Sequence, residues 1–318
     1  MLVAAALAVA TASVLVGAAA PAGAETNGSW SIFPTTVSGQ LVRPYFQPVL
    51  TAGQSYADSV TVTNQTQTAA TFNLYAADAY NTPTGGFALK RRTDHQTAMG
   101  AWIQLPITQI TLEPRSYEVI PFTIDVPAGT APGDHAGGIV IESTTGTTTV
   151  HGSLAITALR AVGVRVYGRV QGKLSPSLAV TGLSVAAHTS VASLFGLGAP
   201  STVTFTVANT GNVRLTSKAV VTLAPLFGGS AGTRTVTVPE LLPQNAVTYK
   251  VPFGSTLTYG QLTANVSIIA TGSSSSGSAS TLVIPWLLLL VLVVIVVLLV
   301  AWRRRKHRLE RAGSGPVS

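Results

Sequence analysis

An all-β architecture is the fold class that the sequence predicts, and three observations carry the prediction. Only 9% of the 318 residues are charged against 47% hydrophobic, with Thr, Val, Ala and Gly abundant, so the chain is poor in the residues that favour long soluble helices. Gly, Pro, Asn or Asp punctuates it every 8 to 12 residues, the spacing of a sandwich or barrel. A strand-and-turn phrase is also written twice, as VTVTNQT at Val60–Thr66 and VTFTVANTGNV at Val203–Val213. Length alone is a soft prior for about two domains with sizeable cores.

The elements follow in order. Residues 1–24 are an apolar run closing on Ala22, Gly23 and Ala24, an A-x-A-like site that reads as a secretory signal peptide, though no basic residue precedes the run. Candidate strands come next at Tyr56–Thr63, Ala70–Ala77, Ile107–Leu112, Tyr117–Val126, Gly138–Ser143 and Leu154–Val170. Val60 and Val62 alternate with Thr61 and Thr63, as in a half-buried strand. VQGKLSPS, Val170–Ser177, is the predicted linker, so residues 25–172 are expected to form one Ig-like sandwich and residues 173–270 a second. The second set of strands is Leu178–Val185, Val203–Val207, Lys218–Leu223, Thr233–Val238, Ala246–Val251 and Gln261–Ala270. The Ser/Gly-rich residues 271–281 are predicted to be a flexible tether.

Leu282–Trp302 is 21 residues without a charge. At ~1.5 Å per residue it makes a helix of about 31 Å, matching a hydrocarbon core of ~30 Å. Trp286 and Trp302 sit near its ends and RRRKHR follows, so residues 303–318 are predicted to be a basic cytoplasmic tail and the rest extracellular, a single-pass type I arrangement. That tail holds six of the 19 basic residues and one of the 11 acidic ones, +5 of the net +8, so the charge balance marks a membrane stop rather than a nucleic-acid partner.

The duplication extends beyond one strand. In the first copy a strand ends at Asn64, and TLEPRSYEVIPFTIDVP later joins two strands through Pro114; in the second a strand ends at Asn209, and ELLPQNAVTYKVPF runs through Pro243. Asn at a strand end bonds its own main chain and tolerates left-handed backbone, while Pro suits a turn where no ladder N–H is lost. The repeat therefore reads as scaffold.

Chemistry is sparse. There is no Cys, hence neither disulfide nor thiolate. The outer part has His95, His135, His151 and His188 but neither His-x-x-x-His nor G-x-S-x-G, so no catalytic residue, metal ligand or cofactor is expected. Asp134 and His135, in APGDHAGG, are the most site-like pair for acid/base work, yet they read better as exposed residues on a tight Gly-rich connection. Trp102 and Phe46 are expected in the core; Tyr45, Tyr75 and Tyr80 are other aromatic candidates, with Tyr80 running into a loop. The loop Asp78–Met99 is long for a sandwich and carries Lys90, Arg91 and Arg92, which could meet an anionic wall polymer or equally form a solvated turn. The candidate ligand-binding residues are Tyr80, Lys90, Arg91, Arg92, Asp134 and His135.

The segments RPYFQPVLTAGQSYADSVTVTNQTQTAATFNLYAADA, GAWIQLP, ITLEPRSYEVIPFTIDVPAG, APGDHAGGIVI and ALRAVGVRVYGRVQG together resemble the N-terminal domain of the WxL-interacting proteins, the WxL peptidoglycan-binding domain family of Gram-positive cell surfaces. The resemblance covers roughly Trp30–Gly172. It implies an Ig-like domain that contacts peptidoglycan or WxL-type surface proteins, then a second Ig-like domain and one membrane anchor. The second domain is less like the family's host-binding domain than like a generic Ig-like module. The expected function is a non-enzymatic, membrane-anchored bacterial surface protein binding peptidoglycan, another wall polymer or a wall-associated protein. The alternatives are an adhesin or chaperone-like subunit recognising a partner by strand addition and a wall hydrolase using Asp134 and His135.

Overall fold

The computed structural model describes residues 29–36, 42–151, 154–188, 199–227, 232–256, 259–284 and 286–312; the signal peptide expected over residues 1–24 lies outside them. The first half contains strands β1 (Trp30–Pro34), β2 (Val49–Leu50), β3 (Ser55–Asn64), β4 (Ala70–Asn81) and β5 (Phe87–Leu89), then a one-turn helix α1 (Met99–Trp102). It continues with β6 (Ile103–Gln104), β7 (Gln109–Leu112), β8 (Tyr117–Asp125), β9 (Gly133–Ser143), β10 (Thr147–His151), β11 (Leu154–Ala158) and β12 (Ala161–Val170). One sheet runs β1-β3-β8-β6; the other runs β2-β12-β9-β4-β5, with β7 also on β4. Their inner faces close a single core, in which Val60, Val62, Ile120, Phe122 and Ile124 of one sheet meet Phe72, Leu74, Ile139, Ile141, Val162 and Val164 of the other. Phe46 fills the middle, edge-on to Phe122 at 5.0 Å between ring centroids.

The second half contains β13 (Leu178–Ala187), β14 (Ala199–Asn209), β15 (Leu215–Phe227), β16 (Gly232–Leu241), β17 (Ala246–Thr256), β18 (Tyr259–Ala270) and β19 (Ser273–Val283). Sheets β13-β14-β17 and β16-β15-β18-β19 enclose a separate core built on Phe205, Val207, Val221, Leu223, Leu241 and Val266. The described chain is thus mostly β, in sandwich-like sheets, followed by one apolar helix, α2 (Trp286–Ala312).

The repeated phrase is a repeated piece of structure. Asn64 and Asn209 are both buried, and each side-chain amide ties its strand end to the proline turn across the sandwich. Asn64 Oδ1 accepts the Thr66 N–H at 3.0 Å, and its Nδ2 donates to the carbonyls of Thr68 (2.9 Å) and Leu112 (3.1 Å). Asn209 Oδ1 accepts the Gly211 N–H at 3.0 Å, and its Nδ2 donates to the carbonyls of Val213 (2.8 Å) and Leu241 (2.9 Å). Leu112 and Leu241 each stand two residues before their proline. The residues after those prolines, Arg115 (φ 53°) and Gln244 (φ 60°), are the only non-glycine residues with positive φ among the described residues. A left-handed residue after Pro is the geometry of a type II turn, at a local strain of order 1–3 kcal/mol that persists because the surrounding bonds over-determine it.

Two expectations are corrected. The Ser/Gly-rich stretch expected to be a flexible tether is β19, paired with β18 from Ser273 opposite Ala270 to Val283 opposite Gly260. Its low-complexity composition is offset by what it packs on. The hydroxyls of Ser273 and Ser275 accept the N–H groups of Leu178 (2.9 Å) and Val180 (3.2 Å) from β13, lacing the open side of the sandwich. The apolar helix begins at Trp286 rather than Leu282, because Leu282 and Val283 belong to β19, and it runs without a break through the basic residues to Ala312.

Candidate functional site

The outer face of the sheet β2-β12-β9-β4-β5 holds a groove of about 610 Å³. Inward-facing Val162, Val164 and Val166 on β12 leave Gly163, Arg165 and Tyr167 pointing outward, by the period-two rule. In register, Gly163 lies opposite Val140 and Arg165 opposite Gly138 on β9, while Tyr75 of β4 lies opposite Val140. The floor is flush because Leu89 of β5 occupies the space where side chains would stand: a Cβ on Gly138 or Gly163 would meet its Cδ1 at 2.6 and 2.8 Å. Around this floor stand Tyr75, Phe87, Arg91, Glu142 and Arg165, with Thr157 and Leu159 from the end of the β10–β11 hairpin forming one wall. The Arg165 guanidinium lies 4.4 Å over the Phe87 ring, a cation–π contact, and its Nη1 donates to the Tyr167 hydroxyl at 3.4 Å. Burial, more than the nearby Glu142, raises the Tyr75 hydroxyl above its ordinary value.

The basic loop between β5 and α1 forms the other wall, and a buried carboxylate holds it. Asp78 Oδ1 accepts the N–H groups of Gly100 (2.7 Å) and Ala98 (3.1 Å); Oδ2 accepts the Thr97 N–H (2.7 Å) and the Lys90 ammonium (3.1 Å). Burial alone would raise this carboxyl, yet those N–H donors and Lys90 together hold it below the usual carboxylate value. Gly100 is required here, since any Cβ would collide with the Ala77–Asp78 backbone.

The six residues singled out from sequence separate into different settings. Arg91, with 84% of its side chain exposed, lines the groove, and Arg92 reaches Glu142 of the groove wall at 3.5 Å. Lys90 pairs with Asp78 and donates to the His95 carbonyl at 3.0 Å, so it secures the loop. Tyr80, at 41% exposure, lies on β4 opposite Ala88 and does not line the groove. Asp134 and His135 do not sit exposed on a connection: both belong to β9, and Asp134 is buried. Its carboxylate accepts both Arg169 nitrogens at 2.6 and 2.9 Å and the Arg214 N–H at 2.9 Å. His135 Nε2 is 3.0 Å from the Ala131 carbonyl, and its ring packs on Trp102 at 4.7 Å. Trp102 and Phe46 are in the core as expected. Among the described residues no three His, Asp or Glu side chains converge as a metal site.

Asp134 belongs to a junction between the halves. Asn212 donates to the Pro132 and Lys173 carbonyls (2.8 and 2.9 Å), and its own carbonyl accepts the Asp134 N–H at 2.8 Å. Buried Asn81 accepts the Leu242 N–H (2.8 Å) and donates to the Glu240 carbonyl (2.7 Å). Tyr167 donates to Glu240 at 2.6 Å beneath the Arg214 guanidinium, 4.0 Å above its ring. Burial and that hydrogen bond push the Tyr167 hydroxyl up to about 12. Because Tyr167 also meets Phe87 edge-on at 5.7 Å, the groove and the junction share one run of rings and guanidinium groups. Phe87, Arg165, Tyr167 and Glu142 were missed from sequence. The one local signal was the alternation in AVGVRVYGRV, which puts Arg165, Tyr167 and Arg169 on one face.

Fold and groove together define a β-sandwich protein with an open groove lined by rings and arginines. The family described as WxL Interacting Protein, peptidoglycan binding domain, matches residues 34–143, as the resemblance read from the sequence implied. The matched segment carries Tyr75, Phe87, Arg91 and Glu142 of the groove. A comparison with curated protein sequences gave no match. Similar solved structures include the chaperone–tip adhesin complex of CFA/I fimbriae biogenesis, 12% identical with a TM-score of 0.36 over 76% of this chain and 90% of that one. The class 5 fimbriae chaperone CfaA is 11% identical, with a TM-score of 0.35 over 76% and 92% of the two chains. The Pseudomonas aeruginosa CupB2 chaperone is 10% identical, with a TM-score of 0.30 over 74% and 96%. At such scores the likeness carries no argument about function.

Proposed function

We propose that the protein is a non-enzymatic, single-pass surface protein whose N-terminal Ig-like domain, residues 25–172, binds peptidoglycan through the groove on β12, β9, β4 and β5. The observation that carries this reading is that the segment matching the peptidoglycan-binding family supplies Tyr75, Phe87, Arg91 and Glu142 to the groove, which β12 completes from beyond that segment. A glycan strand with short peptides offers flat sugar faces to Tyr75 and Phe87 and carboxylates to Arg91 and Arg165. The second Ig-like domain, beginning at residue 173 and extended by β19, carries the first. In this reading α2 crosses the membrane, with RRRKHR on the cytoplasmic side. Residues Trp286–Lys306 have the length and mean hydropathy for a span.

The test is co-sedimentation of the detergent-solubilised full chain with purified peptidoglycan. Arg91→Ala with Arg165→Ala should weaken binding about tenfold at low salt and less at high salt, because exposed charges are screened. Tyr80→Ala should leave it unchanged. Binding that ignores Arg91 and Arg165 would remove the groove from the account, and no binding by the unaltered chain would leave a protein partner as the better reading.

A further inference from the structure

We propose that the second half is docked on an anionic lipid surface at the end from which α2 leaves, through Leu226, Leu282 and Trp286. The proposal rests on α2 being the membrane anchor. With β19 ending at Val283 and α2 starting at Trp286, three Cα steps separate strand from helix, a span of no more than about 11 Å. Register places the end of β15 at the same place, since Phe227 lies opposite Tyr259 at the start of β18, and Gly260 lies opposite Val283. Three strand ends therefore sit where the chain enters the bilayer.

The composition of that end suits a lipid surface. Leu226, Leu282 and Trp286 are 61%, 66% and 66% exposed, which is unfavourable in water and favourable at the headgroup boundary, where tryptophan prefers to lie. Neither β18 nor β19 carries a charge, and the only charge on β15, Lys218, lies opposite Ile269, towards the far end of β18. Residues 173–284 contain five basic residues and a single acid, Glu240, which pairs with Arg214 at the junction. This half therefore approaches anionic headgroups without carboxylate repulsion. Chain continuity favours lipid over a second protein, because the short link holds this end at high effective concentration against the bilayer.

The absence of cysteine makes single-cysteine variants of the full chain clean reporters. Leu226→Cys, Ile295→Cys and Leu174→Cys are each labelled with an environment-sensitive fluorophore and reconstituted in phosphatidylglycerol-containing vesicles whose acyl chains are brominated. Position 295 should be strongly quenched and report helix insertion. Position 226 should lose at least a third of its emission, and position 174, on the junction side, should be unaffected. Adding Leu282→Asp, or Leu282→Gln as the milder change, should reduce quenching at 226 at least twofold without altering it at 295. Quenching at 295 with none at 226 would overturn docking and leave the anchor intact; none at 295 would overturn the anchor and the docking with it.

Discussion

The two halves share one fastening and differ in what is hung between its ends. Each buries an asparagine that binds the carbonyl two residues before a proline turn, but fifty positions separate Asn64 from Pro114 and thirty-four separate Asn209 from Pro243. The longer interval of the first half accommodates β5, the basic loop and α1, which supply Phe87, Leu89 and Arg91 to the groove. The second half, with the shorter interval, carries its remaining polar chemistry at the junction, in Asn212, Arg214 and Glu240. A common frame thus carries the groove where the chain between its fixed points is long, and the junction residues where it is short.

Trp102→Ala should have the largest effect on this contrast, because it empties the core beneath the insertion while leaving the second core untouched. A cost of about 3–5 kcal/mol is expected in denaturant titration, the range for a buried aromatic ring. A small cost would mean that the insertion is a surface appendage. Next come the two fastenings: Asn64→Ala and Asn209→Ala each strand a buried carbonyl and should destabilise by about 1–3 kcal/mol. Costs differing by more than the width of that range would break the equivalence of the halves.

Two titrations sharpen the comparison further. The Asp78 carboxyl is held below its unfolded value, so the stability it contributes is present above the unfolded pKa of ~3.9 and is lost as pH falls through the lower, folded one. Melting curves between pH 5 and 2 should show a steeper acid loss for the unaltered chain than for Asp78→Asn, which is less stable at neutral pH. A second titration is expected at Tyr167, whose folded pKa of about 12 lies above the ordinary 10. The stability it contributes is complete below pH 10 and is lost as pH rises towards 12. Tyr167→Phe should flatten that part of the profile, and an unchanged profile would exclude the Glu240 bond as a support of the junction.

Much of the frame was legible because its signals are local. Alternation in SVTVTN, the Asn and Pro of the repeat and the apolar run before RRRKHR each depend on neighbours a few residues away. The site was only half legible. Arg91 and Arg92, singled out for their long basic loop, lie at the groove, whereas Lys90 in the same run is the partner of Asp78, a distinction invisible to composition. Asp134 looked exposed beside its glycines, yet Arg169 lies opposite it on the next strand and Arg214 comes from the other half.

By itself, the sequence determined the β class, the repeated turns and the apolar helix, since backbone preference and hydrophobic period act over a few residues. Tertiary structure alone decided that Phe87 and Arg165 meet, that Asp134 is buried and paired, and that a run of serines is a strand. Strand pairing joins residues distant in the chain, and the partner across the ladder settles whether a polar side chain faces water, a ligand or another half of the molecule.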